Sequence, residues 1–550
     1  MKPELAHLIV VPIVLPLLVT ALLLLLGARR RRLGSLIHVG AALANLLVAL
    51  EILRRIHADG LPGAVKVYLA GNWPAHFGIV LVADRLSALM LVLTGVVGLA
   101  AAVYSSAAWG RVSVFFFPLF QIQLMGLNGA FLTGDLFNLF VFFEVLLAAS
   151  YGLQLHGSGR SRVRAGLHYI AVNLLASALF LVGLAILYGI LGTLSMADIA
   201  LKVPRVPQSD RGLLHAGAAI LAVAFFTKAA MWPLGSWLVP AYRTASAPVG
   251  AIFALMTKVG VYTLLRLSTL LFSSSAGPSA HLGGAVLLYG GLSTIGFGAL
   301  GLMASLRLGR IAGFSILVSS GTLLAAIGVG EASVTSAALY YLLSATLAAS
   351  ALFLLVELVE RAASGEESPL RYAQLELDED TNLDDAEAAL VGRDIPVSLA
   401  LLGLAFMACV LIVSGLPPLS GFVAKLQLMM ALFNPGGAQV AHEPTAVTWC
   451  FCGLLLLSGL SATVSLSRAG IQQVWSTADH PARRWKVVEV APVLALISAA
   501  GWLTLSAEPV LHYTRAAAEA LYDPRGYVEA VLSTKPVPGP ASGAGEEEAP

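Results

Sequence analysis

Apolar residues recur in this chain as fourteen runs long enough to cross a bilayer, and this pattern fixes the fold class before any motif is read. A spanning helix needs about 20 mostly apolar residues. The runs cover approximately 5–27, 33–53, 79–104, 113–133, 135–155, 165–192, 213–240, 246–270, 283–304, 310–330, 334–360, 396–433, 446–468 and 485–507. Charged residues make up only 12% of the 550, against about one quarter in a soluble domain. So little charge cannot clothe a water-soluble globule of this size. Soluble enzymes, nucleic-acid binders and disordered scaffolds are excluded together. The expected fold is an all-α polytopic membrane protein with fourteen transmembrane helices.

The first run is longer than a signal-peptide core and lacks a small-residue cleavage site, so it reads as span 1. Residues 1–507 form the expected transmembrane domain. Within it, 361–395 is an acidic connection between spans 11 and 12. Residues 508–533 have the mixed polarity of an interfacial helix. Residues 534–550, rich in Pro, Gly and Glu, read as a disordered tail. Cys409, Cys450 and Cys452 sit in apolar runs without a Cys-x-x-Cys spacing, so they read as small hydrophobes. No spacing matches a zinc, haem or iron–sulfur site, and no P-loop is present. No cofactor or metal is expected.

Two runs are too long for one straight helix and contain proline: 213–240 with Pro233, and 396–433 with Pro417 and Pro418. Proline removes a backbone donor and interrupts a helix. At membrane depth a broken helix survives only buried in protein or lining a cavity. In transporters such interruptions in corresponding halves mark the transport site. The two breaks also echo each other, Pro233-Leu-Gly-Ser-Trp237 against Pro418-Leu-Ser-Gly-Phe422.

Lysine and arginine set the orientation. Eighteen of them fall in one alternate set of loops, starting with Arg29–Arg32, and ten on the other side. The positive-inside rule then puts the Arg29 loop in the cytoplasm and both termini outside.

Five basic residues remain within spans. Arg85 and Arg266 lie near span ends, where long side chains can snorkel to water. Lys228, Lys258 and Lys425 do not. Lys258 is roughly 18 Å from either end of its span at 1.5 Å per residue. Lys228 and Lys425 flank the proline breaks. One acid lies at comparable depth, Glu144 in span 5. Each such charge costs about 2.5–3.5 kcal/mol on the insertion scale. A Glu–Lys pair could simply pin helices, but three lysines face one glutamate. Burial and like charge both disfavour an ammonium, and a lysine that exchanges its proton readily is a relay element. Asp84 and Asp135 start spans 3 and 5, where helix capping is the plainer role. His168 and His215 lie near span starts.

The segments TGDLFNLFVFFE (133–144), FFTKAAMWPLGSWLVPAY (225–242), LMTKVGVY (255–262) and SGLPPLSGFVAK (414–425) together resemble the antiporter-like subunits of proton-pumping membrane complexes. That superfamily includes large membrane-arm subunits of respiratory complex I and the two large subunits of Mrp (Mnh, Pha) multisubunit cation/proton antiporters. Within it, TGDLFNLFVFFEV and the tail LYDPRGYVEAVL (521–532) are most similar to the D-type branch of the Mrp large subunits. The long acidic insertion resembles its Gram-negative, Pha-like members. The resemblance covers essentially the whole membrane domain.

It implies inverted repeats of spans 4–8 and 9–13, with spans 7 and 12 broken. It also implies a relay of Glu144, Lys228, Lys258 and Lys425, with Asp84 as a recurrent acid. Where many relatives carry a span-11 histidine, this chain has Ser344, so water held by Ser344 and Thr346 would complete the route. The implied function is proton translocation within a Na⁺ or K⁺/H⁺ antiporter of a bacterial inner membrane. The implied partners are a large A-type subunit and small membrane subunits. The alternatives are a proton-channel subunit of a complex I-like or hydrogenase assembly, and a scaffold whose charges only pin helices.

Overall fold

A computed structural model of the chain describes residues 3–58, 65–107, 114–157, 159–364, 397–434, 443–475 and 486–537. Its elements run α1 (Pro3–Leu26), α2 (Arg31–Ala58), β1 (Lys66–Leu69), β2 (Val80–Ala83), α3 (Arg85–Ala107), α4 (Phe116–Leu132), α5 (Leu136–Leu155), α6 (Arg160–Leu191) and α7 (Met196–Lys202). There follow α8 (Gln208–Lys228), α9 (Leu238–Thr244), α10 (Ala247–Leu270), α11 (Gly284–Met303), α12 (Leu308–Val329), α13 (Ala332–Ser364), α14 (Val397–Ser414) and α15 (Ser420–Phe433). Last come α16 (Ala446–Gly470), α17 (Val487–Leu505), α18 (Ala507–Tyr522) and α19 (Arg525–Ser533).

Among the described residues, 12 helices are long and apolar enough to cross a membrane: α1–α3, α5, α6, α8, α10–α13, α16 and α17. The helical polytopic class read from the sequence is the one observed. Helices α4, α14 and α15 are apolar but shorter. The stretch expected as one span over 396–433 is two half-helices, and the stretch over 213–240 is divided into α8 and α9. Of the acidic connection, residues 365–395 lie outside the described residues, as do 538–550 of the tail. The segment expected as one interfacial helix is two, α18 and α19, separated at Asp523–Pro524.

Burial sorts the helices into a centre and a periphery. The most apolar stretch of α10 is 100% buried and those of α12 and α13 are 89% buried, against 33% for α1, α2 and α17. A helix buried all round belongs to the core, so α10, α12 and α13 form the axis of the molecule. The antiparallel hairpin β1–β2 pairs Lys66 with Ala83 and Leu69 with Val80. It gathers with α7 and α19 at one end of the bundle.

Proline inside a peripheral span shows how freed backbone groups are satisfied. Pro16 in α1 has no N–H to give the Pro12 carbonyl four residues earlier. Asn128 of α4 supplies the missing donor, its Nδ2 reaching the Pro12 oxygen at 2.9 Å. Replacing Asn128 by Leu leaves a buried acceptor unpaired, which costs about 1–3 kcal/mol. We expect a lowered thermal midpoint for the variant purified in detergent. An unchanged midpoint would remove Asn128 from this role.

Candidate functional site

Helix α8 ends at Lys228, and the chain then turns through residues 229–237 before α9 begins. The Trp232–Pro233 peptide is cis. The end of a helix leaves carbonyls without partners, and here neighbours fill them. Ser320 of α12 donates its hydroxyl to the Ala229 carbonyl. The Trp237 indole donates to Thr227 O at 3.2 Å. The Trp232 N–H finds Thr294 Oγ1 of α11 at 2.9 Å. Helix α10 touches the break through Gly260, where a Cβ would lie 2.7 Å from Ala229 N. Any side chain at 260 would therefore push the two apart.

Lys228 is 5% exposed. Its Nζ makes a long contact of 3.4 Å to the Asn173 carbonyl and stands 5.9 Å above the Phe143 ring centroid. As the last residue of α8 it sits at the negative end of the helix dipole, which favours a cation. Glu144, next to Phe143, lies within electrostatic range of Lys228 but is not in ion-pair contact with it. Its Oε1 is buried without a hydrogen-bond partner among the described residues. The carboxylate is half-buried on a face of α5 that also carries exposed Phe137 and Val141. The expected Glu144–Lys228 partnership is thus one of proximity.

Lys258 is 1% exposed in the centre of α10, and its Nζ donates to Ser319 Oγ at 2.7 Å. Ser319 precedes Ser320, so two consecutive hydroxyls of α12 serve Lys258 and the first break. Ser319 also lines a cavity of about 30 Å³ whose wall includes Ser315, Tyr341, Ser344, Ser458 and Lys425. A water needs about 10–15 Å³ of such space, so the cavity has room for roughly two. Ser344 lies in this wall and shares a hydrogen bond of 2.8 Å with Ser420, the first residue of α15. Thr346 is not among the residues of this wall, and its hydroxyl donates to Leu342 O of its own helix at 2.7 Å.

The second break mirrors the first in its electrostatics. Helix α14 ends at Ser414, Gly415 turns the chain with φ 78°, the Pro417–Pro418 peptide is cis, and α15 begins at Ser420. Lys425 reaches back across the gap, and its Nζ donates to Ser414 O at 2.8 Å. It too is held at the negative end of a half-helix. Gly459 of α16 makes the room: a Cβ there would lie 2.6 Å from Ser414 O and 2.9 Å from Lys425 Nζ. Lys258, Ser344 and Lys425 are therefore grouped around one cavity through Ser319, with Lys228 one helix contact away.

The aspartates lie elsewhere. Asp135 caps α5, its Oδ1 accepting from Asn138 N at 2.8 Å. Asp84 precedes α3, accepts from Ser87 N at 2.9 Å, and forms a two-pronged ion pair with Arg266 at 2.5 and 2.8 Å. The expectation that Arg85 and Arg266 snorkel is corrected here: they are 8% and 6% exposed, and Arg266 points to Asp84 inside the protein. His168 is exposed, and His215 bonds Ser279 at 2.9 Å away from the lysines. Sequence reasoning missed Ser315, Ser319, Tyr341 and Ser458. Hydroxyls carry no insertion penalty comparable to a charge, so only the adjacent Ser319-Ser320 pair in mid-span could have drawn notice. Among the described residues no group of three or more His, Cys, Asp or Glu could hold a metal ion.

Residues 133–448 match the family model described as NADH:quinone oxidoreductase/Mrp antiporter, transmembrane. The chain is 49% identical over 536 residues to the D subunit of a probable K⁺/H⁺ antiporter of Rhizobium meliloti, covering 97% of this chain and 99% of the relative. It is 32% identical over 532 residues to the D subunit of the Na⁺/H⁺ antiporter of Alkalihalophilus pseudofirmus, covering 96% and 99%. A chain in the structure of the Mrp complex from Dietzia sp. DQ12-45-1b superposes with TM-score 0.80 at 27% identity, covering 97% of this chain and 100% of that one. The family model covers more than half of the chain and the relatives align with it from end to end: the chain belongs to the NADH:quinone oxidoreductase/Mrp antiporter family of membrane subunits.

Proposed function

We propose that this chain is the D-type component of a multisubunit monovalent cation/proton antiporter in a bacterial plasma membrane, and that it carries protons through Glu144, Lys228, Lys258 and Lys425. The observation that carries this reading is the link from Lys258 through Ser319 into the cavity that Lys425 lines. Three ammonium groups at such depth serve no packing need that leucine would not meet. The antiporter reading is favoured over a redox-driven pump because relatives matching from end to end, one at 49% identity, are named antiporter subunits.

In this reading α4 and the interrupted pair α14–α15 bring the crossings to fourteen, with spans 4–8 and 9–13 as inverted repeats. The loop bearing Arg29 faces the cytoplasm and both termini lie outside. The half-exposed face around Glu144 meets a neighbouring subunit, and the large A-type chain is the natural occupant. While Glu144 is charged and near, it holds the Lys228 ammonium in place. When a neighbour draws or neutralises Glu144, that hold is lost and the proton passes toward Lys258. From there it crosses Ser319 and water beside Ser344 to Lys425. Asp84, Asp135 and Thr346 have no direct part in this route.

Glu144→Ala is expected to lower cation-driven pH recovery in everted vesicles by about a hundredfold, the range of a lost proton-transfer group, while the other subunits still copurify. Retained antiport in an assembled mutant would sink the relay. Ser319→Ala removes a hydrogen bond to a charged group, about 1.5–3 kcal/mol, so transport should fall by about tenfold or more, and Ser319→Thr should restore it. If Ala and Thr variants transport alike, the proton does not cross Ser319.

A further inference from the structure

Helix α10 carries a second set of polar side chains beyond Lys258. Tyr262 and Arg266 follow at steps of four residues, which places them on one face about 6 Å apart along the axis. The Tyr262 hydroxyl donates to Phe131 O at 2.7 Å and accepts from Arg266 Nη2 at 3.3 Å. Arg266 in turn holds Asp84. Polar groups therefore run from the central lysine to the end of the bundle where the hairpin and α19 gather. Beside the ion pair is a small cavity of about 20 Å³, lined by Asp84, Arg85, Arg266, Thr269, Asp523 and Tyr527. It has room for about one water.

The C-terminal helices roof this place. The Tyr527 ring of α19 lies 5.2 Å from the Arg266 guanidinium on one side, and the Tyr262 ring lies 5.5 Å away. Both rings are buried. Helix α18 is bolted to the ends of two spans, α3 and α13. Tyr513 donates its hydroxyl to Arg85 O at 2.8 Å, Thr514 meets Ser336 at 3.2 Å, and Tyr522 meets Thr335 at 3.0 Å. Beyond α19, Val537 exchanges two hydrogen bonds of 2.7 Å with Asn72 at the hairpin tip. An interfacial helix resting on lipid has no need of buried tyrosines or of hydroxyl bonds to span ends. This arrangement is a fitted cover over a buried ion pair.

We propose that the Asp84–Arg266 pair under Tyr527 is a closed gate on the termini side of Lys258, and that α18–α19 keep it closed. The proposal rests on the proton-relay reading. The guanidinium and carboxylate fill the passage and leave room for a single water. Loosening the cover admits a water column past Tyr262 to Lys258, and protons then cross without a cation. Asp84, Arg266, Tyr262 and Tyr527 act as positioning residues, since none of them exchanges the transported proton in the closed state.

The test uses the assembled complex in everted vesicles carrying an imposed pH gradient and no transported cation. Tyr527→Ala should speed collapse of the gradient several-fold, while Tyr527→Phe, which keeps the ring over Arg266, should not. Tyr513→Phe removes a single bolt and offers a milder opening should the alanine variant fail to assemble; it too should leak. Adding Lys258→Met to either leaking variant should make the vesicles tight again. Assembled Tyr527→Ala or Tyr513→Phe complexes that hold the gradient like the parent overturn the gate. So does a leak that persists with Lys258→Met. Failure of the underlying relay is read separately, as antiport retained by Lys258→Met alone.

Discussion

A lysine ammonium at bilayer depth must be given acceptors by the protein, and the architecture of this chain follows from that need. Lipid supplies no water there, and an unpaired charge is far costlier than any single packing contact is favourable. The chain meets the need twice by breaking a helix. Lys228 ends one half-helix, and Lys425 reaches the last carbonyl of another. At the second break the exposed carbonyl itself serves the cation, whereas at the first Lys228 has the dipole end of α8 and a carbonyl of the neighbouring unbroken α6, that of Asn173. The third ammonium, Lys258, lies in an unbroken helix and depends on the hydroxyl of Ser319.

This dependence explains the centrality of α12. Ser319 and Ser320 are neighbours in sequence, yet one serves Lys258 and the other the carbonyl beside Lys228. A shift of α12 along its axis would disturb both lysines together. Glycines set the distances: Gly260 lets α10 touch the first break, and Gly459 lets α16 close over the second. The site is therefore held by backbone contact between central helices, which suits a relay whose groups must stay within reach of one water.

Much of this was legible in the sequence, because the relevant signals are costly ones. Charges in apolar runs and prolines in over-long spans stand out against a background that selects against both. They located Glu144, Lys228, Lys258, Lys425 and the breaks at Pro233, Pro417 and Pro418. What sequence reasoning could not see was direction. Thr346 and Ser344 are two residues apart, yet one hydroxyl turns to its own backbone and the other to the cavity. Arg266, near a span end, looked free to snorkel, but the covering C-terminal helices and Asp84 turn it inward. Those contacts join residues far apart in the chain, and no local pattern records them.

The central claim is that the buried lysines carry protons and do more than pin helices. Antiport by the Lys258→Met complex in everted vesicles tests it most directly, because Met fills similar space in α10 and removes only the ammonium. The expected result is an assembled complex, with its full set of copurifying subunits, that no longer restores pH when cation is added. An assembled Lys258→Met complex that transports at the parental rate would contradict the claim.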